Sequence, residues 1–328
     1  MIIGKDGVVY EGRGPRRVES DDVRPFDNFS DYLGKLPFPD EHLKTWARAI
    51  EERHAYLANK GIPYVFAIAP TKAMIYPEKL PSLFQASQRP ITRYDELYTY
   101  LKENTRVPIA DLREALLRAK AQHSYPDLYY RIDFHWNFFG AFFAYREIVK
   151  VANEHYPELG LTPLEISDFE IDVDEGWIDY PSLHALGLKP YRHHTDDYVR
   201  LKPKSMDRFP QNGILTERGI EDVRLPEETN TRRNNSTYRI KTLRNPNGEK
   251  PMIVVYGDSF IHKTLLYFSA HAERLVFKRA VFKFPMDIIE NDTPDLFVQE
   301  ILNMYILNDP VENPKRIKTA TAGLISSQ

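Results

Sequence analysis

The stretch that most constrains this chain is Met252-Ile253-Val254-Val255-Tyr256-Gly257-Asp258-Ser259-Phe260. Its first half is a short apolar run rich in β-branched residues, the composition of a buried strand. The run breaks off at a Gly-Asp-Ser turn, and Ile261–His271 follows with roughly helical spacing. A strand, a tight glycine turn and a helix lift a serine hydroxyl above the sheet edge, close to the N–H groups of the following helix. Gly257 permits a sharp turn where a side chain would clash. Such a turn also arises by chance, so the serine counts as a nucleophile only if a base is found for it.

Among the ten histidines the one in Asp133-Phe134-His135-Trp136-Asn137 stands out, with an aspartate two residues before it. An aspartate two residues before a histidine lies on the same side of an extended segment. There it can take the Nδ1 proton and leave Nε2 to accept one from a hydroxyl. Trp136 offers a large flat surface that can fix the packing around the pair. An Asp–His hydrogen bond can equally do no more than tie down a helix start, and the residues alone leave both readings open.

Asp133-x-His135-Trp136 upstream of Gly257-Asp258-Ser259-Phe260 resembles the SGNH-hydrolase-like domain of the alginate O-acetyltransferase family. Those bacterial proteins acetylate exopolysaccharide hydroxyls. Gly4–Gly12 is similar to the family's first strand, and Ala69–Glu78 to its Pro-x-Lys-x-x-Ile-Tyr-Pro segment. Asp111–Leu116, Tyr129-Tyr130, Gly140-Ala141, Asn245-Pro246 and Pro294-Asp295 follow in the family's order, so the likeness spans about residues 1–155 and 240–307.

The resemblance implies an α/β, SGNH-hydrolase-like three-layer fold with a mainly parallel central sheet. One catalytic domain over 1–310 would carry 156–250 as an irregular, loop-rich insertion, and 311–328 would be a polar tail. The implied activity is transfer of an acetyl group to polysaccharide hydroxyls through a serine acyl-enzyme. Ser259 would be the nucleophile, His135 the base and Asp133 its orienting carboxylate, with Asp258 fixing the turn. Oxyanion or substrate contacts are expected from Lys72, Tyr76, Asn303 and Trp136; for Lys72 a solvated loop lysine is the competing reading. The best oxyanion donor is the Ser259 N–H, and the sequence names no second donor beside it.

The family's chemistry needs no metal and no cofactor. A polysaccharide is the implied acceptor, a membrane-bound O-acyltransferase the implied supplier of acetyl groups, and the implied place is periplasmic or otherwise extracytoplasmic. Two rival functions keep the same residues: an acetyl esterase or polysaccharide deacetylase, and a carbohydrate-binding assembly protein with a dead site. Two departures stand out. Family members usually carry an N-terminal signal or anchor, whereas Met1-Ile2-Ile3-Gly4 leads straight into the domain; a trimmed chain is the favoured explanation over an unusual soluble member. The family also ends its last strand in Glu-Arg, and this chain has Asn303-Met304. Any role of that arginine is lost, and Asn303 is the residue placed to donate to an oxyanion instead.

Composition narrows the remaining choices. At 328 residues the chain is long enough to bury a sizeable core, and a net charge of −3 gives no positive field for nucleic acid. With no cysteine, disulfides, thiolate catalysis and cysteine-held metals are excluded. The 12% aromatic content suits either a carbohydrate surface or core edges. The longest strongly apolar run, Phe138–Tyr145, is too short to cross a bilayer.

Helical periodicity joins Leu43, Trp46, Ala47, Ile50, His54 and Leu57, with Gly61 as the stop. A strand over Tyr64–Pro70 delivers Lys72 and Tyr76 beyond its end, where ligands of open α/β sheets sit. A helix over Tyr94–Glu103, a strand over Val107–Leu112 and a helix through Ala121 follow. Asn137 is placed to cap a helix ending near His155. Strands are expected near Arg274–Arg279 and Pro294–Asn303. Val18–Pro39 reads as irregular, Lys202–Asn235 as exposed loop and Asn313–Gln328 as frayed. Trp177, Tyr180, Tyr191 and Tyr198 can stack on sugars or pin loops. His193-His194-Thr195-Asp196-Asp197 has metal-ligand chemistry, but adjacent histidines on a strand point apart.

Overall fold

The computed structural model describes residues 2–11, 28–86, 91–122, 126–177, 196–210, 240–280, 284–291, 293–307, 313–318 and 321. Among these the strands are β1 (Ile2–Ile3), β2 (Val9–Tyr10), β3 (Tyr64–Ala69), β4 (Ile109–Ala110), β5 (Phe169–Trp177), β6 (Asp196–Pro203), β7 (Ile240–Arg244), β8 (Lys250–Gly257), β9 (Ala272–Arg279) and β10 (Leu296–Leu302). The α-helices up to the middle of the chain are α1 (Asn28–Tyr32), α2 (Asp40–Ala58), α3 (Lys72–Ile75), α4 (Ser82–Ala86), α5 (Arg93–Asn104), α6 (Leu112–Ala121) and α7 (Phe138–His155).

All six residues of β3 are fully buried, as expected of a strand covered on both faces. Period-two alternation sends Val65, Ala67 and Ala69 into one apolar layer and Tyr64, Phe66 and Ile68 into the other. The first layer is filled by α6, α7 and Leu265–Phe268, the second by α2 and α5. The six-stranded sheet has the order β4-β3-β10-β8-β9-β7. Every pairing is parallel except β7 against β9. This is a three-layer α/β architecture with a mostly parallel sheet.

Local chemistry sets the helix limits. Apolar residues of α2 recur three and four apart at Trp46, Ala47, Ile50 and Leu57, and all are buried. The helix ends before Gly61, whose φ of 69° is left-handed backbone that glycine adopts without strain. Thr92 and Asp95 cap α5 reciprocally, and the Asp111 carboxylate accepts from Glu114 N at 3.0 Å to start α6. Asn137 Oδ1 accepts from Phe139 N at 2.9 Å and Gly140 N at 3.0 Å, which fixes where α7 begins.

Three local expectations are revised. Ile261–His271 is not one helix: it divides into a 3-10 turn, Ile261–Thr264, and a single α turn, Leu265–Phe268. Thr264 Oγ1 donates to Ile261 O at 2.6 Å and Ser269 Oγ to Leu266 O at 2.5 Å, so hydroxyls hold carbonyls that a longer helix would use. Asn313–Lys318 is anchored rather than frayed. Asn313 accepts from Arg53 Nε at 2.7 Å and donates to Ala49 O at 2.7 Å, and Ile317 is fully buried. Within 156–250, β5 and β6 form an antiparallel pair outside the main sheet, while β7 closes the sheet's edge. The side chains of Trp177, Tyr180, Tyr191 and Tyr198 and the His193–Asp197 cluster lie outside the described residues, as do 12–27 and 211–239. Among the described residues no helix is long and apolar enough to cross a membrane.

Candidate active site

The C-terminal ends of β3, β10 and β8 lie side by side, with Leu302 level with Ala69 and Gln299 level with Tyr256. Open α/β sheets present ligand sites at this edge. Gly257 closes β8, and its need for glycine comes from proximity. A Cβ there would meet Glu300 Oε2 at 2.7 Å and Glu300 O at 2.9 Å. The turn that follows is held by Asp258, which is buried beneath it. Its Oδ1 accepts from Phe260 N at 2.8 Å, and its Oδ2 accepts from Leu302 N across the sheet at 2.7 Å. Asp258 is therefore a brace for the turn, as its position after the glycine suggested.

The second segment arrives from the start of α7. Asn137 N donates to Leu128 O at 3.0 Å and Tyr130 N to His135 O at 3.2 Å, folding 128–137 back on itself. Gly140 allows this, since a Cβ there would stand 2.3 Å from Leu128 O. Trp136 is fully buried and its Nε1 donates to Phe260 O at 2.7 Å. That bond joins the two motifs directly across 124 residues of sequence. Trp136 is thus a strut between them, and its burial leaves it no exposed face toward the cleft, where a substrate contact was expected.

The junction brings three side chains into line. His135 Nε2 is 2.8 Å from Ser259 Oγ, and His135 Nδ1 is 2.7 Å from Asp133 Oδ1. The same Asp133 oxygen accepts from His135 N at 2.8 Å, which locks the carboxylate's position relative to the ring. Burial alone would raise the Asp133 pKa, but the hydrogen bonds and charge of His135, with Lys263 nearby, hold it well below the usual carboxylate range. An ionised Asp133 favours the tautomer with the proton on Nδ1, leaving Nε2 as acceptor for the serine. The Phe134 ring stacks on His135 at 4.1 Å and the Phe260 ring lies at 4.8 Å. Asp133 and His135 side chains keep only 16% and 17% of their surface exposed, so the pair works largely out of water. Among the described residues the Ser259 N–H meets no acceptor, as an oxyanion donor requires.

Beside this line is a cleft lined by Tyr10, Glu11, Thr71, Lys72, Ala73, Phe134 and Phe260. The other expected contact residues fall into place differently. Lys72 is 3% exposed, and its Nζ donates to Val9 O at 2.7 Å and Arg131 O at 3.1 Å. It lines the cleft while tying β2 to the loop before Asp133, so the solvated-lysine alternative is ruled out by burial. Tyr76 is buried: its hydroxyl accepts from Leu128 N at 2.8 Å, and it does not line the cleft. Asn303 is 3% exposed at the start of the 3-10 turn Asn303–Leu307 and is likewise absent from the cleft wall. Tyr76 and Asn303 thus stand outside the cleft wall, and Asn303 Oδ1 is buried with no hydrogen-bond partner among the described residues.

Two acidic residues escaped the sequence reading. Glu11 sits in the cleft wall. Glu300 is fully buried in β10, and its Oε2 accepts from Asp258 N at 3.3 Å while Oε1 has no partner among the described residues. A glutamate inside the apolar strand Leu296–Leu302 is itself the signal that could have found it. Burial, then the neighbouring Asp258 charge, pushes the Glu300 carboxyl well above its ordinary value. Asp258 is raised too, chiefly by burial, but both its oxygens accept backbone N–H bonds, so Glu300 is the member of the pair that keeps its proton.

Two outcomes follow. A carboxyl raised on folding adds stability below its unfolded pKa, and this is lost as pH rises toward the folded value. Glu300→Gln, neutral at every pH, should therefore melt higher than the parent at neutral pH, with the gap shrinking to nothing below about pH 4.5. A gap independent of pH in thermal melts would contradict the assignment. Trp136→Phe leaves Phe260 O without its donor and should cost about 1–3 kcal/mol in urea unfolding, with a fall in turnover because the two motifs lose their direct tie.

Residues 34–176 match the family described as SGNH hydrolase-like domain, acetyltransferase AlgX. The matched range includes Asp133 and His135 and stops short of Ser259. No curated protein matches the sequence. Among solved structures the chain is similar to PatB1 of Bacillus cereus, recorded with a sulfonyl adduct, at 15% identity and a TM-score of 0.59, over 84% of this chain and 94% of that one. It is similar to the O-acetyltransferase domain of Pseudomonas putida AlgJ at 17% identity and a TM-score of 0.53, over 97% and 99% of the two chains. A DHHW family protein from Eubacterium siraeum gives 14% identity and a TM-score of 0.53, over 81% and 90%. At these identities the structural likenesses speak for the fold. The chain carries an SGNH-hydrolase-like fold, and its first half resembles the AlgX acetyltransferase family.

Proposed function

We propose that this protein is a serine-dependent O-acetyltransferase that moves acetyl groups onto hydroxyls of a bacterial polysaccharide. The observation that carries the reading is the Asp133–His135–Ser259 line, 2.7 Å and 2.8 Å long, at the sheet edge beside a cleft. In the first step His135 Nε2 takes the Ser259 proton while Oγ bonds the acetyl carbon of the donor. The tetrahedral oxygen is met by the Ser259 N–H; losing one such donor costs roughly 10²–10³ in rate. The donor's C–O bond then breaks, and its oxygen leaves with the proton held by His135. In the second step a sugar hydroxyl gives its proton to His135 and attacks the acetyl-enzyme, and Ser259 Oγ departs and is reprotonated.

The family likeness supports polysaccharide as acceptor and an extracytoplasmic setting, with a membrane-bound O-acyltransferase as the source of acetyl groups. A sulfonyl adduct, as in the similar PatB1 structure, is what an activated nucleophile yields, and Ser259 is the residue here that should capture a sulfonyl fluoride. Transfer and hydrolysis share the first step and part at the second. A chromogenic acetyl ester turned over with and without oligosaccharide separates them: acetylated sugar supports the transferase, and acetate alone under all acceptors makes the protein an esterase.

A further inference from the structure

Glu11 is the one carboxyl in the cleft wall, and Lys72 the one cation, among the described residues. Its position is set by the segment before it. Val9 N donates to Arg131 O at 2.8 Å, Lys72 Nζ bridges Val9 O and Arg131 O, and Tyr10 OH donates to Tyr76 O at 2.7 Å. β2 is thereby fastened to the loop two residues ahead of Asp133, and Glu11 comes out beside it. The cleft's other walls include Phe134 and Phe260, the two rings that flank His135. A group bound against Glu11 therefore lies next to the serine and its base.

Among the described residues the carboxyl finds little support. No described residue donates a hydrogen bond to Glu11, and the Lys72 ammonium in the same cleft wall is held by Val9 O and Arg131 O. Burial, then the negative charges of Asp133 and Asp258, push its pKa up to about 7, with Lys72 acting partly in the other direction. A sheltered carboxyl in a cleft wall, with no donor among the described residues, is suited to a ligand that brings donors of its own. A sugar ring does: its hydroxyls donate, and its C–H face packs on aromatic walls. A second carboxylate at the same place would face both Glu11 and Asp133 at a loss.

We infer that Glu11 is the acceptor-recognition residue of this site, taking a hydroxyl of the sugar ring that receives the acetyl group and selecting a neutral ring over a uronate there. This rests on the transferase reading. In that role Glu11 is a fixed hydrogen-bond acceptor that holds the incoming alcohol beside the acetyl-enzyme. Glu11 is a specificity residue; it takes no proton from Ser259.

Binding separates this claim from the chemistry. Calorimetric titration of the full chain carrying Ser259→Ala with neutral cello-oligosaccharide and with oligogalacturonate should show the neutral sugar bound more tightly. Adding Glu11→Gln should weaken the neutral sugar about tenfold to a hundredfold, the effect of one charge-assisted hydrogen bond, and narrow its lead over the uronate. In chains with Ser259 intact, Glu11→Gln should lower the ratio of acetyl transferred to acetyl hydrolysed while acetyl-enzyme still forms. Unchanged affinities and an unchanged ratio would overturn the role of Glu11 whatever the activity. Absence of acetyl-enzyme in the parent, with the Glu11-dependent binding intact, would instead overturn the transferase reading.

Discussion

Asp133→Asn should lower turnover of an acetyl ester by about 10⁴-fold while leaving the fold intact, and Ser259→Ala or His135→Ala should lower it further, by about 10⁶-fold. The asparagine keeps the shape of Asp133 but removes the charge that stabilises the imidazolium. It also allows the amide to present N–H groups to the ring, which turns the tautomer the wrong way for accepting the serine proton. The three changes act on one hydrogen-bonded unit, so the losses should not add: a double variant of Ser259 and His135 should be no slower than either alone. Steady-state rates on a chromogenic acetyl ester check this. Full activity in Asp133→Asn would mean that the 2.7 Å contact holds the loop and does nothing for proton transfer.

The second large effect is expected at Asp258. Its carboxylate answers two buried N–H groups, Phe260 N at 2.8 Å and Leu302 N at 2.7 Å, on different segments. Asp258→Ala leaves both donors without an acceptor at roughly 1–3 kcal/mol each, offset in part because a charge no longer has to be buried. The net loss should be about 2–4 kcal/mol in denaturant unfolding. Turnover should fall as well, since the turn that aims Ser259 is no longer tied to β10. Asp258→Asn retains one acceptor and should lose about half as much. An unfolding midpoint at the parental value would show that the turn is held by something else.

What could be read from residues alone was what rests on local rules. Helix α2 with its glycine stop, the Asn137 cap and the strands flanking Ser259 all follow from spacing, capping and β-branched runs. The Asp133–His135 pair is two residues apart, so its contact is nearly local. Its meeting with Ser259 is not, and the sequence could only propose it by resemblance; the physical cause is the Trp136–Phe260 bond and the register of β8 against β10. Lys72 could be placed after β3, but its burial depends on where β2 docks, 63 residues away. Glu11 was hidden for the same reason: nothing near it in sequence says that its neighbour is the loop before Asp133. An aromatic beside a catalytic-type histidine fits a strut and a platform equally well until its exposure is known, and Trp136 is fully buried.

In the proposed reaction Ser259 becomes acetylated and hands the group on. Intact-mass measurement after brief exposure to an activated acetyl ester tests it most directly, followed by peptide mapping and a chase with oligosaccharide. The peptide containing Ser259 should gain one acetyl group, absent in Ser259→Ala, and lose it faster to oligosaccharide than to buffer. A protein that stays at its native mass while the ester is consumed, or one whose acetyl group sits elsewhere, would contradict it.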